Sequence, residues 1–264
     1  MSNILDLGGR VALVTGAGQG VGRQIALHFA EHNSGGIIVN DYHLDRAEAV
    51  AEEVRAAGGN ALAVQCDVTN LDAVKEMVAK GKEEFGPVGI LVNNAGNAGA
   101  TPTAEARKPF WETGPEVWDH YIGVNLYGVM NCTAAVIPGM IERKDAGRLV
   151  TIISEASRYG DAGLEVYAGA KAGAAGFMRS CARTLGRYGV TSNSISIAFT
   201  ATPEVEARVK SDPERFKKMM SSYVIRRPGQ PNDIANMALY LASDASSWIT
   251  GQTYSVSGGF TFGL

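Results

Sequence analysis

The chain has 264 residues, 45% apolar and 19% charged, a composition of a globular protein rather than a disordered or fibrous one. Its net charge of −3 and pI of about 5.9 exclude a basic field for nucleic acid, so none is expected as a partner. No continuous apolar run approaches membrane-spanning length, and Met1–Asp6 lacks a basic region followed by an apolar stretch, so no membrane segment or secretory signal is expected. Cys66, Cys132 and Cys181 are widely spaced in apolar settings and read as reduced thiols of a cytoplasmic protein. No pair of Cys or His has metal-ligand spacing; His28 and His32 are four apart but read as an outer helix face.

The first element is a short apolar strand over residues 10–15. Gly16, Gly18, Gly20 and Gly22 follow at once, and Ile25, Ala26, Phe29 and Ala30 then recur at helical spacing. Strand, glycine turn and helix in this order suit a dinucleotide, because the backbone can approach a pyrophosphate resting on the helix amino end. A second buried strand, residues 36–40, ends at Asp41, nineteen positions past Gly22. An acid there can accept from both hydroxyls of an adenosine ribose and repels a 2′-phosphate. Gln19 adds no positive charge in the turn, and Arg46 lies in the following helix. NAD(H) is therefore expected over NADP(H).

The alternation continues. Residues 44–57 read as an amphipathic helix, 61–66 as a strand followed by Asp67 and Val68, 71–85 as a helix, and 90–92 as a strand running into Asn93-Asn94-Ala95-Gly96. Such a pattern predicts an α/β chain with a parallel sheet and helices on both faces, its ligands at the carboxyl ends of the strands. Residues 97–115 hold three prolines and no period, so they predict an extended loop in which Phe110 and Trp111 could wall an apolar substrate and Arg107 and Lys108 could meet an anion. Residues 116–143 read as one long helix, bent near Gly123 or Gly128, with a kink or break at Pro138. Asn125 within it is a polar amide in an apolar stretch and needs a partner.

A buried strand over residues 149–153 ends at Ser154, thirteen positions before Tyr167. Tyr167 and Lys171 are four apart, so a helix puts phenol and ammonium on one face. A nearby ammonium favours phenolate, a serine hydroxyl can bond an oxygen that gains charge, and the trio suits proton transfer at a hydroxyl or carbonyl. The Tyr167 helix is expected to run to about Tyr188, with a strand over 191–197. Residues 200–224 read as a polar, helical lid with Lys210, Arg215, Lys217 and Lys218. A helix over 233–242 and a last strand over 252–256 follow. No repeat or second domain is visible, so 1–264 reads as one domain with a substrate loop at 97–115 and a lid at 203–224.

The run Thr15-Gly-Ala-Gly-Gln-Gly-Val-Gly22, the Asn93–Gly96 run, and Ser154 with Tyr167-x-x-x-Lys171 together resemble the short-chain dehydrogenase/reductases of single-domain type, from about Gly9 to Gly259. The resemblance implies a Rossmann fold with seven parallel strands ordered 3-2-1-4-5-6-7. It carries a catalytic tetrad over to Asn125, Ser154, Tyr167 and Lys171. Tyr167 is then the acid/base, Ser154 holds the substrate oxygen, Lys171 binds the nicotinamide ribose and lowers the tyrosine pKa, and Asn125 holds a relay water. Cofactor contacts carry over to Gly16, Gln19, Gly20, Val21, Asp41, Asp67, Val68, Asn94, Thr200 and Thr202, besides Tyr167 and Lys171. A homotetramer is implied, through the helices bearing Asn125 and Tyr167 and through the last strand.

Two departures stand out: Ile197-Ala198 replaces the family's usual Pro-Gly, and Ser257 replaces the Asp of its V-D-G-G ending. The 97–115 loop is longer than in 3-oxoacyl-carrier-protein reductases. Ser154–Gly160, Gly163–Tyr167 and Val256–Thr261 are similar to dehydrogenases of alicyclic hydroxyacyl-CoA compounds. The implied function is NAD(H)-dependent interconversion of a small-molecule secondary alcohol and ketone, on a cyclic or acyl-CoA-type substrate. The alternatives are an NADP(H)-dependent 3-oxoacyl or steroid ketone reductase and a non-catalytic dinucleotide-sensing protein.

Overall fold

The computed structural model describes residues 3–96, 108–143, 146–201 and 212–262. Its centre is one parallel sheet of seven strands: β1 (Val11–Val14), β2 (Gly36–Asp41), β3 (Ala61–Gln65), β4 (Val88–Asn93), β5 (Arg148–Ser154), β6 (Thr191–Ile197) and β7 (Thr253–Val256). Their spatial order is β3-β2-β1-β4-β5-β6-β7, as the family resemblance implies.

Period-two alternation divides each strand between two cores. Ala12, Val14, Ile37, Val39, Val92 and Ile152 pack on one face beneath α1 (Gly20–Glu31), α2 (Leu44–Ala56) and α9 (Pro231–Ala242). Val11, Leu13, Ile38, Leu91, Leu149 and Ile153 pack on the other beneath α3 (Leu71–Phe85), α5 (Gly128–Arg143) and α7 (Glu165–Leu185). Both faces are covered, which is why these strands read as continuous apolar runs.

The long helix differs from its expectation in an informative way. It begins as α4 (Pro115–Ile122) and passes through a π-helical turn at Gly123–Tyr127 into α5, where the Gly128 N–H reaches back five residues to the Gly123 carbonyl. Pro138 lies inside α5 without ending it; Val136 and Met140, buried on either side, hold that stretch in the core. By length and composition the combined helix could cross a membrane. In the fold its apolar face packs instead among α3, α7 and the sheet, with Asn125 and Thr133 fully buried.

The expected lid is only partly described. Residues 202–211, with Thr202 and Lys210, lie outside the described residues, as do 97–107 of the substrate loop with Arg107. Helix over the remainder of the lid is confined to α8 (Pro213–Met220). The turn α6 (Ala156–Tyr159) follows β5.

Candidate active site

The carboxyl ends of β1, β2, β4 and β5 bring Gly16, Asp41, Asn94 and Ser154 to one edge of the sheet. The glycine turn after β1 is a cradle that side chains would fill. Gly16 and Gly20 have φ of +58° and +56°, values that favour glycine. A Cβ on Gly22 would lie 2.4 Å from the Gly16 carbonyl oxygen, and one on Gly18 would lie 2.7 Å from Asp41 Oδ2. Gln19 caps α1 with its backbone only, and no acid stands in the first helical turn. The amino-terminal N–H groups of α1 therefore face the turn without a side-chain acceptor, as an anion site requires. These residues fit a dinucleotide.

Asp41 is buried beside that turn. Its Oδ2 accepts the Gly18 N–H at 2.9 Å and its Oδ1 accepts the His43 N–H at 3.0 Å. Asp41 thus braces the turn as well as presenting a carboxylate at its edge. Arg46 lies close by: its Cβ would be 2.5 Å from a Cβ on Gly18.

Asn94 faces the turn rather than open space. Its Nδ2 donates to the Thr15 and Gly16 carbonyls, both at 2.9 Å, while Thr15 Oγ1 accepts from the backbone N–H groups of Asn94 and Ala95, both at 3.0 Å. Both amide hydrogens of Asn94 are spent on fixing the turn. Thr15, the first residue of the glycine motif, is a functional residue that the motif alone does not mark; its hydroxyl next to the first glycine is the one signal of it. Asp67 is exposed and its Oδ1 accepts from the Thr69 backbone and hydroxyl, while Val68 is buried against Gly128. Thr200 is buried with its hydroxyl on the Ala198 carbonyl at 3.0 Å, and Thr202 lies outside the described residues.

The four residues of the implied tetrad converge. Ser154 closes β5, and its Oγ accepts the Ala156 N–H at 3.2 Å. Tyr167 stands on the first turn of α7, and the Ser154 side chain is near enough to act on its phenol's pKa. One helical turn on, Lys171 is 4% exposed and its Nζ donates to the Ile152 carbonyl at 2.9 Å. Asn125 sits in the π-helical turn, its Nδ2 donating to the Tyr121 carbonyl four residues back at 2.9 Å. A Cβ on Gly96 would lie 2.9 Å from both Asn125 Oδ1 and Lys171 Nζ, so the two polar atoms face the same bare backbone. Pi-helical turns recur at functional sites because they re-aim one side chain.

Burial dominates the electrostatics of the pair. Burial pushes the Tyr167 phenol above its ordinary value, and the hydrogen bond with Ser154 opposes that shift only in part. Burial also lowers the Lys171 ammonium, to about 8, since a low-dielectric site disfavours the charged form.

The two loop aromatics part company. Phe110 lines an apolar cleft of about 380 Å³ with Trp118, Ile122, Leu126, Val166 and Ala170, between α4 and α7, and Trp111 is 70% exposed.

The family described as enoyl-(acyl carrier protein) reductase matches residues 16–261, nearly the whole of this fold and site. The chain belongs to the short-chain dehydrogenase/reductases. As a member of that family it is an oxidoreductase. It is 37% identical to a 3-oxoacyl-[acyl-carrier-protein] reductase of Staphylococcus epidermidis over 248 residues, 94% of this chain and 97% of that one. It is 39% identical to the (2S)-[(R)-hydroxy(phenyl)methyl]succinyl-CoA dehydrogenase subunit BbsD of Thauera aromatica, over 95% of this chain and 96% of that one. Among solved structures, a 7α-hydroxysteroid dehydrogenase complexed with NADH and 7-oxo glycochenodeoxycholic acid superposes with a TM-score of 0.88 at 33% identity, covering 98% of each chain. The short-chain dehydrogenase/reductase architecture thus spans every described element.

Proposed function

We propose that this chain is an NAD(H)-dependent oxidoreductase that interconverts a secondary alcohol and a ketone, with Tyr167 as acid/base. The observation that carries the reading is the convergence of Asn125 Oδ1 and Lys171 Nζ on Gly96, with Tyr167 one helical turn before Lys171, Ser154 at the end of β5 and the glycine cradle at the same sheet edge. When bound, the nicotinamide supplies or accepts the hydride at the substrate's carbinol carbon. Tyr167 gives a proton to the substrate oxygen during reduction and removes it during oxidation. Its raised pKa keeps the phenol protonated at neutral pH, ready to act as donor. For oxidation the phenolate must form, and the chain's own groups that favour it are the Ser154 hydroxyl and the Lys171 ammonium. Ser154 orients the substrate oxygen. Asn125 Oδ1 and Lys171 Nζ, sharing the face of Gly96, are arranged for a relay through water.

Asp41 supports NAD(H): a buried carboxylate braced against the glycine turn repels a 2′-phosphate. Gly16, Gln19, Gly20 and Val21 would cradle the pyrophosphate, Val68 and Asp67 would meet the adenine, and Thr200 would meet the carboxamide. A cytoplasmic setting fits three buried, unpaired thiols, of which burial raises Cys66 to about 11. A homotetramer fits the apolar cleft beside the helices bearing Asn125 and Tyr167. The relatives support a cyclic or acyl-thioester substrate, because their names include a steroid, a substituted succinyl-CoA and an acyl-carrier-protein thioester.

The test is a paired fluorescence titration with NADH and NADPH, followed by nicotinamide absorbance across free alcohols, ketones and their CoA thioesters. NADH is expected to bind at least tenfold tighter, a difference of about 1.4 kcal/mol. The second reading, an NADP(H)-dependent 3-oxoacyl or steroid ketone reductase, is favoured by Arg46 beside Gly18; equal or tighter NADPH binding would establish it. Tight cofactor binding with no turnover on any substrate would favour a dinucleotide sensor.

A further inference from the structure

Glu155 is one residue past Ser154 and 1% exposed, yet the reaction as proposed gives it no task. A buried carboxylate is costly unless it is hydrogen-bonded and paired. Here both oxygens are engaged. The Ser255 hydroxyl donates to Oε1 and the Thr261 hydroxyl to Oε2, while Arg158 Nη1 lies 3.5 Å from each. The Glu155 N–H donates to the Ile197 carbonyl at 2.9 Å, and its own carbonyl accepts from the Arg158 and Tyr159 N–H groups. One residue therefore ties together the carboxyl ends of β5, β6 and β7 and the segment beyond β7.

That segment is held from its other side as well. The Gly258 carbonyl accepts the Ile225 N–H at 2.8 Å. The Phe260 ring stacks on Tyr223 at 4.8 Å and meets Tyr159 edge-on at 5.2 Å. Tyr223 in turn accepts the Phe199 N–H at 3.1 Å through its phenol oxygen. Contacts thus run without interruption from the neighbour of Ser154, through residues 255–261, to the chain that follows α8.

We propose that Glu155 is a positioning residue for the alcohol/ketone reaction: its carboxylate clamps residues 255–261 onto the turn that carries Ser154 and so fixes the serine hydroxyl against Tyr167. The inference rests on the proposed function for its catalytic readout. Ser154 lies at a strand end where its hydroxyl accepts the Ala156 N–H from the following turn, so the register of that turn helps decide its aim. Misplacing a reacting group by about an ångström costs on the order of a hundredfold in rate.

The experiment uses the full chain as E155A, E155Q, T261V and the E155A/T261V pair. E155A is expected to lower kcat by roughly ten- to a hundredfold while NADH binding stays within about twofold, well under 1 kcal/mol. E155Q should recover most of that loss, because an amide can still accept from one hydroxyl and donate to the other. T261V should lose part of it, and the pair should be no slower than E155A, the coupling expected of residues in contact. An E155A kcat near the wild-type value overturns the proposal, as does a folded E155Q no better than E155A. If E155A does not fold, T261V and E155Q decide. If the wild-type chain turns over no substrate, the reaction reading fails, and the clamp is read by hydrogen exchange at the Ile225 and Phe260 amides in T261V. Faster exchange supports the clamp; unchanged exchange overturns it.

Discussion

The Lys171 ammonium donates to the Ile152 carbonyl, 2.9 Å away on the strand that ends at Ser154. The bond fixes a buried cation two residues from that serine's strand end and one helical turn from the phenol. It gives the charge one neutral acceptor, and burial lowers the amine to about 8 from 10.5.

A pH dependence of stability follows. Between about 8 and 10.5 the unfolded chain holds a proton that the folded site releases, so the unliganded protein should gain stability as pH rises through that window. Below the folded value the buried charge is carried in full and the gain is absent. Its size should be on the order of 3 kcal/mol. The raised phenol of Tyr167 acts oppositely, losing stability as pH climbs past its ordinary 10.0, so the rise is best read up to pH of about 9.5. Denaturant unfolding of the wild type and K171M checks this: the slope should vanish in the variant.

Asp41 invites a test of cofactor choice. D41A removes the acceptor of the Gly18 and His43 N–H groups. NADH affinity should fall roughly tenfold, by about 1.4 kcal/mol, with NADPH affected less. Paired titrations would show it. An unchanged NADH:NADPH ratio would mean that Asp41 does not read the ribose.

At the opposite end of the sheet, Arg10 and the fully buried Arg148 both donate to Asp244 Oδ1, Arg148 at 2.8 Å. Arg148 also donates to the Ser243 and Gly147 carbonyls at 3.3 and 3.0 Å. Removing one partner of a buried pair is costly, but Asp244 is 67% exposed. D244A should therefore destabilise by about 2 kcal/mol without altering kcat. Thermal melts and initial rates on one preparation separate the two effects.

The parallel sheet was legible because strands buried on both faces produce apolar runs, and amphipathic helices produce a period of 3.6; the strand order came only from the family resemblance. α3 and β6 run over the residues that their patterns predict. The π-helical turn at Gly123–Tyr127 was not legible: it changes hydrogen-bond register without changing the apolar period, and two glycines suggested only a bend. Ser154, Tyr167 and Lys171 were legible by residue type and spacing and Asn125 only through the family resemblance, but their electrostatics depend on burial, which no spacing reports. Glu155 escaped notice for the same reason: a glutamate in a polar run reads as solvated, and only the return of Ser255 and Thr261 across the sheet buries it. The task of Asn94 was hidden because its partners, Thr15 and Gly16, lie far back in the chain.

The pH dependence of turnover should separate the two directions. Oxidation needs the phenolate, whose fraction grows with pH, and reduction needs the phenol. Initial oxidation rates should therefore rise with pH while reduction rates fall, and parallel profiles would argue against proton transfer by Tyr167.

The most direct measurement is the turnover of Y167F beside its cofactor affinity. Removing this one hydroxyl should lower kcat by about a hundred- to ten-thousandfold, with NADH binding changed less than about threefold, under 1 kcal/mol. A variant that turns over at a near-wild-type rate would contradict the assignment of Tyr167 as the proton-transferring group.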